Sequence, residues 1–367
     1  MKVLYYLRLA LSLARRGYGS TSPNPMVGAV LVKGGILIGR GWHRRAGEAH
    51  AEIEALRDAA RRGHSSRGAT LFVTLEPCST QGRTPPCTEA IIAAGIRRVV
   101  IGTLDPNPSH RGRAVRILKR AGIAVDLLET IEAADRKTDV AVRRLIRELK
   151  SLNEPFNHWI AHRTPLVTVK AAMTLDGKIA TPAGESKWIT GDEARAYAMK
   201  LRRGSDAILV GINTVLADNP SLTLRSNPAP SQLQKHGVRR IILDSMARTP
   251  PSAKVMDDSY AGLTTVVVSR RAPARRVAAL AKRVNVIVAP LAKTKTRTAK
   301  LGIDLSWLLR RLGSEEVTSL LVEGGGEVNA SFLLGGLAHH VAFFYAPRIL
   351  GGRRSLKAVG GAGVDRA

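Results

Sequence analysis

The stretch that decides the fold runs from His50-Ala51-Glu52 to Pro77-Cys78, with a second cysteine at Cys87. It holds a helical pattern over Ala49 to Arg62, an apolar run of strand length over Ala69 to Leu75, and a second helical pattern over Thr88 to Gly95. Working outward, Gly28 to Val32 and Ile36 to Arg40 read as strands before it, and Arg98 to Thr103 as a strand after it. Strand-length apolar runs that alternate with helical segments predict α/β layers. A helical stretch over Arg111 to Ala121 and a charged one over Ile131 to Lys150 complete this half.

The residue types in that stretch suit a metal. Two thiolates and one imidazole, from Cys78, Cys87 and His50, are good ligands for Zn²⁺, and a catalytic zinc keeps its fourth position for water. Zinc makes water acidic enough to act as a nucleophile near neutral pH. Glu52 follows His50 by two positions and is placed to carry the proton. His-x-Glu followed by Pro-Cys-x-x-Cys is the pattern of zinc deaminases, but here Ser79 to Pro86 separate the cysteines, so this insert must loop out before Cys87 returns. Two other readings stand beside this one: cysteines that are small core hydrophobes, and a purely structural zinc. The structural zinc would want a fourth ligand, and His43, His64 and His110 sit in no recognisable ligand spacing.

At 367 residues the chain exceeds one ordinary core, so two domains are expected: residues 1–150, a linker over 151–164, and 165–367, with two prolines over Asn153 to Pro165 marking the boundary. No apolar run reaches the length of a membrane span. Met1 to Arg16 reads as an amphipathic helix with Tyr5, Leu9 and Leu13 on one face, not as a cleavable targeting segment. With two cysteines and no such segment, a reducing compartment, the cytoplasm, is expected. The net charge of +28 raises nucleic-acid binding, but it is spread evenly, +13 over residues 1–150 and +15 over 151–367, and only 4% of residues are aromatic. That pattern favours anionic small molecules over a nucleic-acid stripe. Whether copies of the chain assemble is left open.

The second half restarts with a strand over Leu166 to Ala172 and continues through strands at Ala207 to Gly211, Arg240 to Asp244, Thr264 to Ser269, Val284 to Val288 and Ser319 to Glu323. Lys293 to Lys300 reads as a basic surface loop. Glu323-Gly324-Gly325-Gly326-Glu327 lies between a strand and a helix over Val328 to Leu334, where glycines permit close backbone approach and a helix N-terminus offers N–H groups to a phosphate. The Gly-x-Gly-x-x-Gly fingerprint of the ordinary dinucleotide fold is absent.

Several strings together resemble one family. Pro23-Asn24-Pro25-Met26-Val27-Gly28, His50-Ala51-Glu52, Thr74-Leu75-Glu76-Pro77-Cys78, Gly82-Arg83-Thr84-Pro85-Pro86-Cys87 and Asp105-Pro106-Asn107-Pro108 resemble the deaminase half of the bacterial bifunctional riboflavin-biosynthesis deaminase/reductases. The long loop between the cysteines is that family's variant. The second half resembles the family's reductase domain through Val169 to Lys178, Gly184 to Thr190, Leu209 to Arg225, Leu243-Asp244-Ser245 and Ala346 to Gly351. The resemblance implies a cytidine-deaminase-like α/β/α domain followed by a dihydrofolate-reductase-like α/β domain. It implies hydrolytic deamination of a diaminopyrimidine ribonucleotide, then reduction of its ribosyl chain by NADPH.

By that resemblance His50, Cys78 and Cys87 hold Zn²⁺, Glu52 shuttles the proton, Asn24 and Asn107 contact the pyrimidine and ribose-phosphate, and Arg83 the phosphate. NADPH is implied at Ala172, Trp188, Thr214, Asp218, Ser245 and Gly325 to Ser331, Gly326 included, and substrate at Ser186, Arg202, Leu222, Arg225 and Glu323. Lys170, at the end of a strand, can polarise or protonate the carbonyl oxygen, Glu323 can anchor sugar hydroxyls, and Arg202 and Arg225 suit phosphate grips. Ser245 and Arg248 are expected to receive the 2′-phosphate of NADPH. Thr80 stands where the family has His, and His110-Arg111-Gly112-Arg113-Ala114 where it has Val-Ala-Gly-Arg-Gly; both departures fall in substrate-side loops. Family members continue for another strand beyond Val359-Gly360-Gly361, so the reductase sheet is expected to lack an edge strand, or the chain to be a shortened form.

Overall fold

Alternate residues of β1 (Gly28–Lys33) enter two different cores, as the two-residue period of a strand requires. Ala29 and Leu31 pack with Ala51, Ala55, Ile91 and Leu118, whereas Val30 and Val32 pack with Leu7, Leu11, Leu145 and Leu149. A strand buried on both faces reads as an unbroken apolar run, which is why Gly-Ala-Val-Leu-Val is legible as a strand. The computed structural model describes residues 2–81, 85–132, 135–186, 189–224, 237–292, 302–361 and 363–364. The chain divides into two units, Met1–His162 and Arg163–Ala367.

The first unit begins with helix α1 (Lys2–Ala14), and β1 then pairs with β2 (Ile36–Trp42). Next come α2 (Ala51–Arg61), β3 (Thr70–Leu75), α3 (Cys87–Ala93), β4 (Arg98–Thr103), α4 (Arg113–Arg120), β5 (Ala124–Leu127), α5 (Arg136–Leu152) and α6 (Glu154–His162). The sheet order is β2-β1-β3-β4-β5, antiparallel around β1 and parallel from β3 to β5. One core draws on α2, α3 and α4, the other on α1 and α5, so the layers are α/β/α. Helix α2 sits unusually close to β2: a Cβ on Gly41 would lie 2.4 Å from the Ala51 carbonyl oxygen. The alanines at 51, 55 and 59 form the small-residue stripe that permits this approach.

The second unit holds β6 (Leu166–Thr174), β7 (Lys178–Ala180), α7 (Asp192–Arg203), β8 (Ala207–Gly211), α8 (Ile212–Asp218), β9 (Arg239–Leu243), α9 (Lys254–Asp257), β10 (Thr264–Ser269) and α10 (Ala274–Ala281). It continues with β11 (Asn285–Ala289), α11 (Leu305–Ser314), β12 (Ser319–Val322), α12 (Gly326–Leu333), β13 (His340–Ala346) and β14 (Leu356–Lys357). Seven strands pair in the order β11-β10-β9-β8-β12-β6-β13, every pair parallel, and β7 and β14 form a separate antiparallel ribbon. Cores on both faces, one with α11 and α12 and one with α8, α9 and α10, cover the sheet. Parallel strands end together, so the loops after β8 and β12 open at one edge.

Two expectations change. The segment 151–164 is not an irregular linker: Glu154–His162 is helix α6, and the division between units falls after it. Pro155 lies in the first turn, where its missing N–H costs nothing. In α1 the buried residues are Leu7, Ala10, Leu11, Leu13 and Ala14, whereas Tyr5 is 64% exposed, because the β1 side of the helix is the Leu7–Leu11 stripe. The expected basic loop 293–300 lies outside the described residues, as do Arg83, Trp188 and Arg225. Among the described residues no helix is long and apolar enough to cross a membrane.

Candidate functional site

Two helix starts and one strand end of the first unit converge. His50 is in extended backbone immediately before α2, Cys78 follows β3, and Cys87 is the first residue of α3. The His50 Nδ1 lies 3.2 Å from Cys87 Sγ and 3.4 Å from Cys78 Sγ, and the three donor atoms fall within 4.8 Å of one another. Zinc–sulfur and zinc–nitrogen bonds of about 2.3 and 2.0 Å at a tetrahedral angle would put N and S roughly 3.5 Å apart. The donor set therefore fits one zinc ion. Hydrogen bonding from Cys87, foremost, holds the Cys78 thiol at about 4, in the thiolate form a metal needs. The same pairing pushes the Cys87 thiol up.

Glu52 is in the first turn of α2, only 3% exposed, and burial pushes its carboxyl up to about 7. It lines a cavity of about 250 Å³ together with His50, Cys78, Asn24, Asn107 and His43. His43 is buried, and burial lowers its pKa, so the ring is neutral. Its Nδ1 lies 3.2 Å from the Ala49 carbonyl, which only an N–H can satisfy, so Nε2 accepts from the Asn24 amide at 3.2 Å. Glu76, also in the lining, accepts backbone N–H bonds from Asp105, Gly112 and Ala114, and so fixes the loop that carries Asn107 and His110.

Of the residues read from sequence for this site, His50, Glu52, Cys78, Cys87, Asn24 and Asn107 come together, and Arg83 lies outside the described residues. Other lining residues are given no role by that reading, among them His43, Glu76, Phe156 and Ile160. Glu76 is visible inside the string Leu75-Glu76-Pro77-Cys78. His43 has no ligand spacing, and it is no ligand. Phe156 and Ile160 carry no sequence signal, because their segment reads as a linker.

In the second unit a cavity of about 760 Å³ opens where β6, β8 and β12 end. Lys170, Ala172, Ser186, Arg202, Thr214, Asp218, Leu222, Glu323, Gly325 and Gly326 all line it, although they come from stretches far apart in sequence. Its size suits a cofactor and substrate together. The glycine run precedes α12, and a Cβ on Gly325 would meet nothing closer than the Thr214 hydroxyl at 3.8 Å, so this backbone faces open space beside a helix N-terminus. That is a cradle for a phosphate-bearing cofactor. Gly326 is required for another reason: a Cβ there would lie 2.3 Å from the Lys357 carbonyl oxygen. Ser186 donates to Asp218 at 3.1 Å.

Glu323 changes the expectation for Arg202. The guanidinium donates through Nε and one terminal nitrogen to both Glu323 oxygens at 2.8 Å, and through the other to the Thr223 carbonyl at 3.2 Å. The edge that would grip a phosphate bidentately is occupied by a carboxylate, so Arg202 orients Glu323 and is not a free phosphate clamp. Lys170 Nζ stands 4.0 Å from Glu323 and 6.0 Å from the centre of the Phe344 ring. Burial pushes the Glu323 carboxyl up most, but the Arg202 hydrogen bonds and the charges of Arg202 and Lys170 together outweigh it and hold the group below the ordinary glutamate range. Ser245 is not in the lining: its carbonyl accepts from the Ser269 amide and hydroxyl. Arg248 donates to Asn213, a lining residue, at 2.9 Å.

Comparison with known proteins places each of the two units in a family. Residues 1–103 match the cytidine and deoxycytidylate deaminase zinc-binding region, and residues 165–366 match the RibD C-terminal domain. Riboflavin biosynthesis protein RibD of Aquifex aeolicus is 43% identical over 346 residues, covering 94% of this chain and 87% of that protein. Its counterpart from Escherichia coli is 38% identical, covering 95% and 88%. Among solved structures, Acinetobacter baumannii RibD is similar with a TM-score of 0.81 at 33% identity, covering 100% of this chain and 92% of that one. A deaminase/reductase from Thermotoga maritima gives 0.77 at 34%, covering 100% and 93%. With a zinc-deaminase unit, a reductase unit and relatives that align over nearly its whole length, the chain belongs to the RibD family of riboflavin-biosynthesis proteins.

Proposed function

We propose that the first unit hydrolytically deaminates 2,5-diamino-6-ribosylamino-4(3H)-pyrimidinone 5′-phosphate and that the second reduces the ribosyl chain of the product to ribityl with NADPH. The Thermotoga relative is named a diaminohydroxyphosphoribosylaminopyrimidine deaminase and 5-amino-6-(5-phosphoribosylamino)uracil reductase. The observation that carries the reading is that buried Glu52 lines one cavity with His50 and Cys78, two members of the His50, Cys78 and Cys87 donor cluster.

Zinc held by those three residues supplies the Lewis acidity that activates water. Glu52, a carboxyl poised near neutrality, takes a proton from the water and returns it to the ring nitrogen and the departing amine. Asn24 and Asn107 hold the pyrimidine and its ribose-phosphate in register with Glu52, and Arg83 takes the phosphate.

NADPH supplies the hydride in the second unit, along Ala172, Thr214, Asp218 and the Gly325–Gly326 turn, which line the cavity; Trp188 is assigned to its binding, and Ser245 and Arg248 to its 2′-phosphate. Lys170 delivers a proton to the carbonyl oxygen as the sugar C1 is reduced. Glu323, held by Arg202, anchors the sugar hydroxyls, while Ser186 and Leu222 border the substrate. Arg225 takes the phosphate. Two thiols used as metal ligands fit a reducing compartment, the cytoplasm.

The test is to incubate the protein with the diaminopyrimidine nucleotide, with and without NADPH. Ammonia is expected in both cases and NADPH oxidation only in the second; absence of ammonia from a zinc-loaded preparation overturns the proposal.

A further inference from the structure

Helix α6 contributes two apolar side chains to the cavity beside Glu52. Phe156 and Ile160 are four residues apart, so they share one helix face, and both are half-buried in the cavity lining. Near the metal ligands most of that lining is polar: Asn24, His43, Glu76, Asp105 and Asn107. Polar groups can read the edge of a heterocycle, where its donors and acceptors lie, but they pack poorly on its flat faces. Among the described residues Phe156 is the one benzenoid ring in the lining, and bases are held by stacking on such rings.

The start of the same helix is tied to the loop that carries Asn24. Asn153, 5% exposed, accepts from the Met26 amide through Oδ1 at 2.8 Å and donates to the Met26 carbonyl through Nδ2 at 2.9 Å. One amide thus satisfies both backbone groups of one residue. Pro25 restricts the chain between Met26 and Asn24, so the clamp at Met26 fixes where Asn24 meets His43.

We infer that α6 is a working wall of the first site: Phe156 and Ile160 hold the pyrimidine ring of the nucleotide, and Asn153 is the positioning residue for the Asn24 loop. The inference rests on the deaminase reading of this cavity. Phe156→Ala removes the ring from a half-buried position, and Asn153→Asp replaces the donor that faces the Met26 carbonyl with a second acceptor. Each variant is tested in the full chain for deamination KM and kcat, bound zinc, and NADPH oxidation with pre-deaminated substrate.

Phe156→Ala is expected to raise the deamination KM roughly tenfold or more, the scale of a lost apolar pocket contact, with a smaller change in kcat and with zinc and reduction at parental levels. Phe156→Tyr should restore KM and Phe156→Leu should not, a distinction that a filler of space would not make. Asn153→Asp should raise KM in the same way with zinc retained. Parental KM in both Phe156→Ala and Asn153→Asp overturns the inference alone, as does loss of zinc from Phe156→Ala, which would make the helix a prop of the metal site. A parent chain that holds zinc and releases no ammonia overturns the deaminase reading, and this inference with it.

Discussion

Each unit places a glutamate at the heart of its proposed chemistry, Glu52 in the first and Glu323 in the second, and the two treat it in opposite ways. Glu52 has no cation partner among its influences beyond His50, and burial leaves its carboxyl at about 7. Glu323 is as well hidden, yet Arg202 and Lys170 hold it below the ordinary range. A group poised near neutrality can pick up and release a proton at little cost, whereas a group clamped in its charged form can only attract and orient. The same residue type is thus suited to proton transfer in one unit and, under the proposed function, to substrate anchoring in the other, and the difference is made by neighbours.

The comparison breaks first at Glu52. Glu52→Gln should keep zinc yet lose deamination by on the order of 10² to 10⁴, with reduction of pre-deaminated substrate unchanged. Cys87→Ser, by contrast, should lose the zinc itself, as metal analysis would show. Normal ammonia release from Glu52→Gln would remove the proton role.

A smaller effect is expected in the second unit. Lys170→Ala and Glu323→Gln should lower reductive turnover by roughly 10- to 100-fold, with little change in NADPH affinity, because the proposed function assigns both residues to the sugar end. Parental turnover in both would mean that the reductase site is misplaced.

Removing the clamp sharpens the contrast. Arg202→Met leaves Glu323 with Lys170 at 4.0 Å, and breaking such a buried pair should cost about 3 kcal/mol of second-unit stability. The sign with pH follows from the depressed carboxyl of the parent. Its contribution is fully present above the ordinary glutamate range and is lost as pH falls through the lower folded-state value. Urea unfolding from pH 8 down to pH 3 should therefore show a gap between parent and Arg202→Met that narrows on the acid side. A gap that widens there would refute the ion-pair account.

The smallest effect concerns the cofactor. If Arg248, anchored on Asn213 at the cavity rim, receives the 2′-phosphate, NADPH should bind about tenfold more tightly than NADH, and Arg248→Ala should abolish the difference. Equal affinities in the parent would contradict this.

Most strands were legible from sequence, because apolar runs such as Ala207 to Gly211 and Thr264 to Ser269 are buried on both faces and coincide with β8 and β10. The metal donors were legible from residue type alone. Helix α6 was not, since Pro155 beside polar residues reads as irregular chain unless a first turn is already assumed. Strand β13 was missed as well: its inner residues are only partly buried, so its apolar pattern gives no firm period. The role of Arg202 was hidden for a different reason. Its carboxylate partner is 121 positions away, and nothing local distinguishes an arginine that binds a phosphate from one that binds Glu323.

The strand order of the second unit has a consequence for synthesis. Strand β6 is made first, but its two neighbours, β12 and β13, begin about 150 residues or more later. At 5–20 residues per second the ribosome needs roughly 8 to 30 s to supply the first of them. The five strands of the first unit lie between Gly28 and Leu127 and can close without waiting. During that interval the apolar residues of β6, such as Val167 and Val169, are exposed on the nascent chain, so β6 is where a chaperone should bind first.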